Sequence, residues 1–403
     1  MNEHSPSLWW GPPKKFDERK NERKISWLEL FYDLVYVAVI SQLTSNLSEN
    51  PGWSNLGFAF LLFSLLFWSW VNGSEYYDLH GSDGIRTRLL TFWQMLAVAA
   101  VAITIGDAFQ GQLQHFAIAF LFIQGIITYL WWSVGLYDPS HRVFNKFYTV
   151  NYVLSFAFLC VSIFVDPTFA TILLVIVAII NLTPPLIGAK AIVRELEKRG
   201  QEFTASVSIV ERFGSFTIIV LAECILATVS GISSLHEKSP DTWIVFILAI
   251  LISFLLWSIY FDMTSEQETK KGYAYMLWFV FLHFPLLAAF SVLGASLKIL
   301  LEDVETGPPG IAKWLFCGSV SVILFMVAAI TRIMKENEED RAYIKPVSRL
   351  LVLAGIFILL VPFLAIWLKT AVILAIVSLI LFVPVFIGVR SWVLFKFSGK
   401  AKR

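Results

Sequence analysis

The chain has 403 residues, of which 57% are hydrophobic and only 15% are charged, and its formal net charge is +1. This charge is too scarce to cover the surface of a soluble globular protein, so that class is excluded, and we expect no nucleic-acid partner. Apolar runs of about 20 residues recur along nearly the whole chain and predict an all-α polytopic membrane protein in contact with the lipid bilayer.

The first predicted segment is a cytoplasmic basic leader at residues 1–24. Because this segment is polar, we expect no cleavable signal peptide and expect the first span itself to direct insertion. Trp9 and Trp10 stand beside basic residues, a pattern that fits contact with anionic lipid. A solvated leader fits the same residues equally well.

Twelve predicted transmembrane helices follow the leader and form two groups of six. The first six-helix repeat covers residues 25–190, a cytoplasmic linker covers 191–206, the second repeat covers 207–396, and a cytoplasmic basic tail covers 397–403. The twelve spans are predicted near 25–46, 56–77, 86–106, 115–136, 145–165, 168–190, 207–230, 242–262, 274–297, 312–333, 347–368 and 370–396.

Lysine and arginine residues predict the orientation of these spans. Nearly all of them fall in the leader, the tail and the loops that a cytoplasmic N-terminus would leave inside. Since short cytoplasmic loops of membrane proteins carry an excess of lysine and arginine, both termini are predicted to be cytoplasmic.

The two halves of the chain share an ordered series of weak similarities. Pro184 and Gly188 in the sixth span match Pro384 and Gly388 in the twelfth, and Glu29-Leu-Phe31 matches Glu211-Arg-Phe213. A duplicated unit with small insertions gives such a series, and two six-helix units would insert in the same direction as parallel repeats. Two unrelated halves that share these residues by chance are the alternative.

A few ionisable and polar residues lie inside the predicted spans. An ionised side chain at depth in lipid costs roughly 2.5–3.5 kcal/mol on insertion scales, so such residues are candidates for function. Asp33 lies about 12 Å inside a helix that starts near Ile25 and shares a face with Glu29. The predicted proton relay or transport path consists of Asp33, Glu223, His283, Gln94, Tyr36 and Ser41.

A second set of residues is predicted to act as structural anchors near the cytoplasmic ends of the first and seventh spans. Glu29 and Glu211 occupy matching repeat positions and could pair with Arg212, Arg86 or Arg88, or stabilise their helix N-termini. For His283 a packing role is an equal alternative, and for Gln94 a bond between helices is favoured. The full predicted anchor or motif set is Glu29, Phe31, Glu211, Arg212 and Phe213.

Other sequence features predict no catalytic chemistry. The three cysteines lie in apolar runs without disulfide or zinc spacing, and the sequence has no Walker loop, HExxH, Gly-x-Ser-x-Gly or Cys-x-x-Cys. We therefore expect a protein that is not an enzyme and has neither cofactor nor metal. Pro184-Pro185, Pro285, Pro362 and Pro384 are expected to kink or break their helices.

Two stretches of the chain carry a recognisable pattern. The first is WLELFYDLVYVAVISQLT, with a Glu-Leu-Phe-x-Asp-Leu core, and the second is VERFGSFTIIVLAECILATVSGI, with Glu-Arg-Phe and a later acid. Both resemble the signatures of the bacterial low-temperature-requirement A (LtrA) family. Ala222 precedes Glu223 where that family usually has glycine. The resemblance covers essentially the whole chain and implies a multipass protein of the bacterial plasma membrane, linked to growth in the cold. It implies Glu29, Asp33, Glu211, Arg212 and Glu223 as motif positions without assigning them a role.

A shorter stretch is similar to a motif of lysosomal-type potassium channels, which are built from two six-helix repeats. Phe31-Tyr-Asp33 is similar to their first-helix Phe-Ser-Asp motif, whereas Phe213-Gly-Ser215 in the second half lacks the acid. The resemblance implies, by analogy only, a pore lined by the first helix of each repeat.

Three functions follow as hypotheses. The favoured one is a proton-coupled secondary transporter of a small solute or ion that uses its intramembrane acids. A cation channel lined by the first helix of each repeat is the second, and a non-transporting membrane protein for cold adaptation is the third. The substrate is unknown, and a homodimer is an assembly that the sequence leaves open.

Overall fold

The structure is a computed structural model. It describes residues 11–15, 25–82, 84–138, 142–198, 205–264, 268–302, 310–335, 338–364 and 368–400. The remaining residues lie outside this description, and they include Trp9 and Trp10 of the predicted lipid-binding leader.

Fourteen helices make up the regular structure of the described residues, together with one isolated β-bridge between Thr269 and Met334. Helices suit this composition because every backbone N–H and C=O in a lipid environment needs a partner within its own segment. The helices are α1 (Trp27–Glu49), α2 (Trp53–His80), α3 (Ile85–Phe109), α4 (Leu113–Tyr137), α5 (Arg142–Ser162), α6 (Pro167–Leu182), α7 (Pro184–Ile187), α8 (Ala189–Lys198), α9 (Val207–Ser233), α10 (Pro240–Thr264), α11 (Tyr273–Glu302), α12 (Gly310–Ile333), α13 (Glu338–Leu364) and α14 (Thr370–Lys400).

The predicted all-helical membrane fold is confirmed at this level. Among the described residues, ten segments are long and apolar enough to cross a membrane, and one of them, Pro167–Arg194, combines α6, α7 and part of α8. Helices α1 and α5 coincide with the first and fifth predicted spans but are not among these ten. The count of twelve spans and the internal repeat therefore stay predictions.

The prolines inside the predicted spans affect their helices in two different ways. The sixth predicted span is interrupted, since α6 ends at Leu182 and short α7 begins at Pro184. Pro285, Pro362 and Pro384 instead lie inside uninterrupted helices, so they do not break α11, α13 or α14. The predicted linker at 191–206 begins within α8, which remains helical to Lys198.

The described residues divide into two compact units. Unit 1 contains those within Met1–Leu43, Gly57–Ser215 and Lys271–Tyr273, and unit 2 contains those within Thr44–Leu56, Phe216–Lys270 and Ala274–Arg403. In unit 1, α3 packs on α4, α4 on α5 and α5 on α6. In unit 2, α13 packs on both α12 and α14, and α10 packs on α14.

A short N-terminal segment is attached to the end of α2 within unit 1. The backbone N–H of Lys14 donates to the carbonyl oxygen of His80 over 3.1 Å. The Nδ1 atom of His80 lies 2.9 Å from the carbonyl oxygen of Lys14, and Pro13 is buried. These bonds satisfy backbone groups at the helix end, while Lys14 and Lys15 remain exposed.

Candidate functional site

The first turn of α1 is closed by a capping box between Ser26 and Glu29. The Ser26 backbone N–H and hydroxyl both donate to Oε2 of Glu29 over 2.9 Å, and the Glu29 N–H donates to the Ser26 hydroxyl over 3.3 Å. This reciprocal arrangement satisfies donors that a helix N-terminus otherwise leaves free. Glu29 therefore fixes the point at which α1 begins.

Arg212 of α9 joins the two acids of α1 within unit 1. Its Nη2 atom donates to Oδ1 of Asp33 over 2.6 Å and its Nε atom to Oδ2 over 3.3 Å. Its Nη1 atom donates to Oε1 of Glu29 over 3.4 Å. The Trp70 indole N–H of α2 also donates to Oδ1 of Asp33, over 2.7 Å. We name Glu29, Asp33, Trp70 and Arg212 the Arg212 cluster.

Aromatic side chains surround the guanidinium of this cluster. Its central carbon lies 5.7 Å from the ring centre of Tyr32 and 6.0 Å from that of Trp70, within the range of cation–π attraction. Phe213 packs edge-to-face on Trp70, with ring centres 4.8 Å apart. This enclosure leaves Arg212 only 1% exposed, although its neighbour Glu211 is exposed.

A chain of hydroxyl groups runs from this cluster along the same face of α1. The Tyr32 and Tyr36 hydroxyl oxygens are 3.1 Å apart, and that of Tyr36 lies 3.0 Å from the Ser69 hydroxyl. Tyr32 fits against α2 because residue 73 is glycine. A Cβ atom there would lie 2.2 Å from the Tyr32 hydroxyl oxygen.

The charges of the Arg212 cluster do not cancel when both carboxyl groups are ionised. Two carboxylates face one guanidinium, and the side chains of Glu29 and Asp33 are 0% exposed. Desolvation of a buried ion pair offsets much of its attraction, but removal of one partner leaves a buried charge uncompensated. The cluster is therefore costly to disrupt, and it ties α1 to α2 and α9 within unit 1.

The predicted anchor residues lie in different environments. Glu29 forms both contacts that the sequence offered as alternatives, the pair with Arg212 and the bonds at its helix N-terminus. Phe213 is buried, whereas Glu211 and Phe31 are exposed. Matching repeat positions therefore differ in environment. The roles assigned to these residues stay predictions.

The predicted path residues of unit 2 include two buried ionisable groups. Glu223 of α9 is 4% exposed and His283 of α11 is fully buried. The His283 Nδ1 atom lies 2.7 Å from the Phe279 carbonyl oxygen, which can only accept, so Nδ1 carries a proton. Its Nε2 atom lies 3.0 Å from the Tyr260 hydroxyl, which can therefore donate to it.

Close packing of small residues surrounds Glu223. A Cβ atom at Gly294 would lie 3.3 Å from the Thr44 side chain and 3.6 Å from the Glu223 carbonyl oxygen. The Thr44 hydroxyl lies 3.1 Å from that of Ser291. Within unit 2, the end of α1 and the helices α9 and α11 thus approach each other closely at this level.

The other predicted path residues lie in unit 1. Tyr36 is buried and hydrogen-bonded as described, and Ser41 is partly buried. Gln94 is buried, and within the described ranges its Nε2 atom has no hydrogen-bond partner. Asp33 also lies in unit 1, whereas Glu223 and His283 lie in unit 2. The continuous path between these three ionisable residues stays a prediction.

Two acids near the end of α2 were missed by the sequence analysis. Glu75 and Asp78 occur in the stretch Glu-Tyr-Tyr-Asp, where the predicted span ends and acids are expected to be hydrated. Asp78 is instead buried and accepts bonds from the Ser206 and Ser208 hydroxyls at the start of α9. The Ser206 hydroxyl also accepts from the Ile209 N–H, so Asp78 supports the N-terminus of α9.

Glu75 has a different environment from every other acid of unit 1 described above. It is half-buried, and no side chain or backbone group in the described ranges donates a hydrogen bond to it. Its carboxyl group interacts electrostatically with Asp78 and with the hydroxyl groups of three tyrosines, Tyr148, Tyr152 and Tyr273.

These three tyrosines are held in place by neighbouring bonds and stacking. The Tyr152 hydroxyl donates to Asn72, one turn before Glu75 on α2, and the Tyr273 hydroxyl donates to the Pro185 carbonyl oxygen over 3.0 Å. Tyr148 stacks on Trp131 with ring centres 4.4 Å apart. The prolines that interrupt the sixth predicted span thus also supply the acceptor that holds the Tyr273 hydroxyl. We name Glu75, Tyr148, Tyr152 and Tyr273 the Glu75 site.

Comparison with known proteins gives a family and one curated relative. A sequence profile described as bacterial low temperature requirement A protein (LtrA) matches residues 24–384. An uncharacterized protein of Rhizobium meliloti (strain 1021), RA0937, is 27% identical over 265 residues. That match covers 63% of this chain and 62% of the relative, so the chain spans less than two thirds of the relative's length.

Proposed function

We propose a transport function for this chain, which belongs to the bacterial low temperature requirement A (LtrA) family. The protein is a secondary transporter of the bacterial plasma membrane that couples movement of a small cation to movement of protons. It carries out no covalent chemistry on its substrate, and both of its termini lie in the cytoplasm. The long apolar helices of this chain support a location in the membrane.

The observation that carries the proposal is the Glu75 site. A carboxyl group can exchange a proton for a cation when neither its charged nor its neutral form is locked by fixed hydrogen bonds. Glu75 meets this condition, because no donor in the described ranges bonds to it. The surrounding tyrosine hydroxyls and ring faces can contact a cation that takes the place of the proton.

The Arg212 cluster has a supporting role in this mechanism. Its bonds hold α1, α2 and α9 together in unit 1, and α2 is the helix that carries Glu75. Glu223 and His283 keep their predicted places in the proton path, whereas Asp33, which these bonds hold in place, acts as a fixed part of the cluster. Tyr260 extends this path by one hydroxyl group, since it lies within hydrogen-bonding distance of His283.

The two alternative functions receive less support from the geometry. A channel lined by α1 and α9 would need an open path at the level of Arg212 and Asp33, whose atoms are 2.6 Å apart. A non-transporting membrane protein would gain nothing from a half-buried acid that bonds to no donor, because such a group costs stability without a structural return.

Reconstitution of the full chain in proteoliposomes tests the proposal. A pH gradient is imposed, Na⁺, K⁺ or ethanolammonium chloride is added outside, and a trapped dye reports internal pH. We expect at least one of these cations to dissipate the gradient through the native protein. Glu75→Gln should abolish the response, whereas Asp107→Asn, an exposed acid of α3, should keep it.

Two results would contradict the proposal. The native protein could leave the gradient unchanged with all three cations, or Glu75→Gln could respond like the native protein. Steady unitary currents in planar bilayers, without dependence on the pH gradient, would instead favour the channel alternative. Intact growth in the cold by Glu75→Gln at matched expression would favour the non-transporting alternative.

A further inference from the structure

An open cavity of about 350 Å³ lies between three helices of unit 2. Its wall is mostly apolar and includes Ile259 and Met263 of α10, Val347 of α13, and Val385 and Val389 of α14. Pockets of about 300–1,000 Å³ are typical of small-ligand sites. This volume suits one acyl chain and is too small for a whole phospholipid.

The cavity exists partly because residue 388 has no side chain. A Cβ atom at Gly388 would meet only the Val347 side chain, at 3.9 Å, which is an ordinary van der Waals distance. Gly388 lies one turn after Pro384, which also lines the cavity. Side chains added at position 388 would therefore enter the cavity without displacing the backbone.

One acid stands in this otherwise apolar wall. Asp262 is exposed, and its Oδ2 atom accepts a bond from the Ser258 hydroxyl over 2.7 Å. Its Oδ1 atom accepts no hydrogen bond from any residue that the structure describes. An ammonium group at the mouth of the cavity can therefore pair with Asp262 while an attached apolar chain fills the interior.

Three basic residues lie close in sequence to lining residues of the cavity on two of its helices. Lys345 and Arg349 lie two positions on either side of Val347, and Arg390 directly follows Val389. All three are exposed and lie toward the ends of α13 and α14 that are predicted to be cytoplasmic. At this level of a bilayer such side chains meet lipid phosphate groups.

We propose that this cavity binds one acyl chain of a phosphatidylethanolamine molecule, whose ammonium group pairs with Asp262. The chemistry of the wall selects this lipid class over two others. Phosphatidylcholine has no N–H group to donate to the carboxylate, and phosphatidylglycerol has no cation. The phosphate group is common to all three lipids and does not discriminate between them.

Native mass spectrometry of the delipidated full chain tests this site. The protein is titrated with palmitoyl-oleoyl phosphatidylethanolamine, phosphatidylcholine or phosphatidylglycerol, and the first bound lipid is quantified. Because exposed charge pairs contribute modestly, we expect phosphatidylethanolamine to bind about two- to fivefold more tightly than phosphatidylcholine. Asp262→Asn should remove that preference, and Gly388→Leu should weaken the first binding event for all three lipids.

Asp241→Asn is the matched control for the acid. Asp241 lies at the other end of α10 and is also exposed, 3.5 Å from Lys369. This variant should keep the native preference for phosphatidylethanolamine. Equal affinity of the native protein for phosphatidylethanolamine and phosphatidylcholine overturns the proposal, and so does a preference that survives Asp262→Asn. If Gly388→Leu does not fold, the Asp262→Asn titration alone decides the outcome.

Discussion

The Arg212 cluster and the Glu75 site place acids of the same unit in opposite circumstances. Asp33 is fully buried and accepts three hydrogen bonds, two from Arg212 and one from Trp70. Glu75 is half-buried, and no described group donates to it. Membrane burial of an acid therefore does not by itself indicate its role. The hydrogen-bond partners distinguish a carboxyl group held by three bonds from one to which no described group donates.

The largest loss of stability is expected from removal of the cation that Glu29 and Asp33 share. Arg212→Ala leaves Asp33 and Glu29 as buried acids without their charge partner, which typically costs about 3–5 kcal/mol. We expect a large loss of thermal stability in detergent, measured by the loss of helical circular dichroism. Arg88→Ala, at an exposed arginine of α3, should change the unfolding temperature little. Equal stability of the two variants would show that the cluster does not hold unit 1 together.

Neutralisation of the central acid should have a smaller effect. Asp33→Asn keeps the size of the side chain and an acceptor oxygen for Trp70. Its NH2 group cannot accept from Arg212, so one bond from Arg212 is lost, and the other is weakened because the oxygen is uncharged. Since hydrogen bonds to charged groups contribute about 1.5–3 kcal/mol, we expect a loss of stability within that range. Chemical denaturation in mixed micelles measures this loss. A variant as stable as the native protein would indicate that Glu29 alone suffices to pair Arg212.

Packing of the cluster against α2 can be tested at Gly73. The Cβ atom of Gly73→Ala would lie 2.2 Å from the Tyr32 hydroxyl oxygen, so the buried ring must move and its bond to Tyr36 must weaken. Overpacking of this kind costs typically about 1–3 kcal/mol. Gly388→Ala is the matched control, because its Cβ atom would have ordinary contact distances. Thermal unfolding should separate the two variants, and similar unfolding temperatures would contradict the tight contact.

The smallest effect on stability is expected at the Glu75 site. Glu75→Gln removes no hydrogen bond from a described donor, so we expect a change below about 1 kcal/mol. The same variant should nevertheless abolish proton-coupled flux in the proteoliposome assay. A loss of transport without a loss of stability would distinguish Glu75 from Asp33. A strongly destabilised Glu75→Gln protein would assign Glu75 a structural role instead.

The membrane class and the helical fold follow from the sequence alone. Long apolar runs in a chain with 15% charged residues allow few other structures, because lipid forces backbone groups to bond within each helix. Asp33 and Arg212 were also visible as candidates, since charges inside apolar runs are rare. These inferences depend on local composition, which the sequence states directly.

Other features needed the tertiary structure. The Pro-x-x-x-Gly spacing occurs twice in the chain. At Pro184 it coincides with an interruption of the helix, whereas at Pro384 it lies inside an uninterrupted helix. Two adjacent prolines remove two consecutive N–H donors of the helix, whereas one proline removes a single donor. The context around the motif, rather than the motif itself, decides this outcome.

Only the packing of the folded chain determines which residues the charged side chains contact. Glu29 and Arg212 are 183 positions apart, and Asp78 meets serines about 130 positions away. Glu75 looked like an ordinary interfacial acid, since its tyrosines come from α5 and from the start of α11. The sequence determined that these acids exist and that they lie in or beside membrane helices. Only the fold decided which carboxylate accepts hydrogen bonds from the described residues and which does not, because hydrogen bonds depend on atoms brought together from distant parts of the chain.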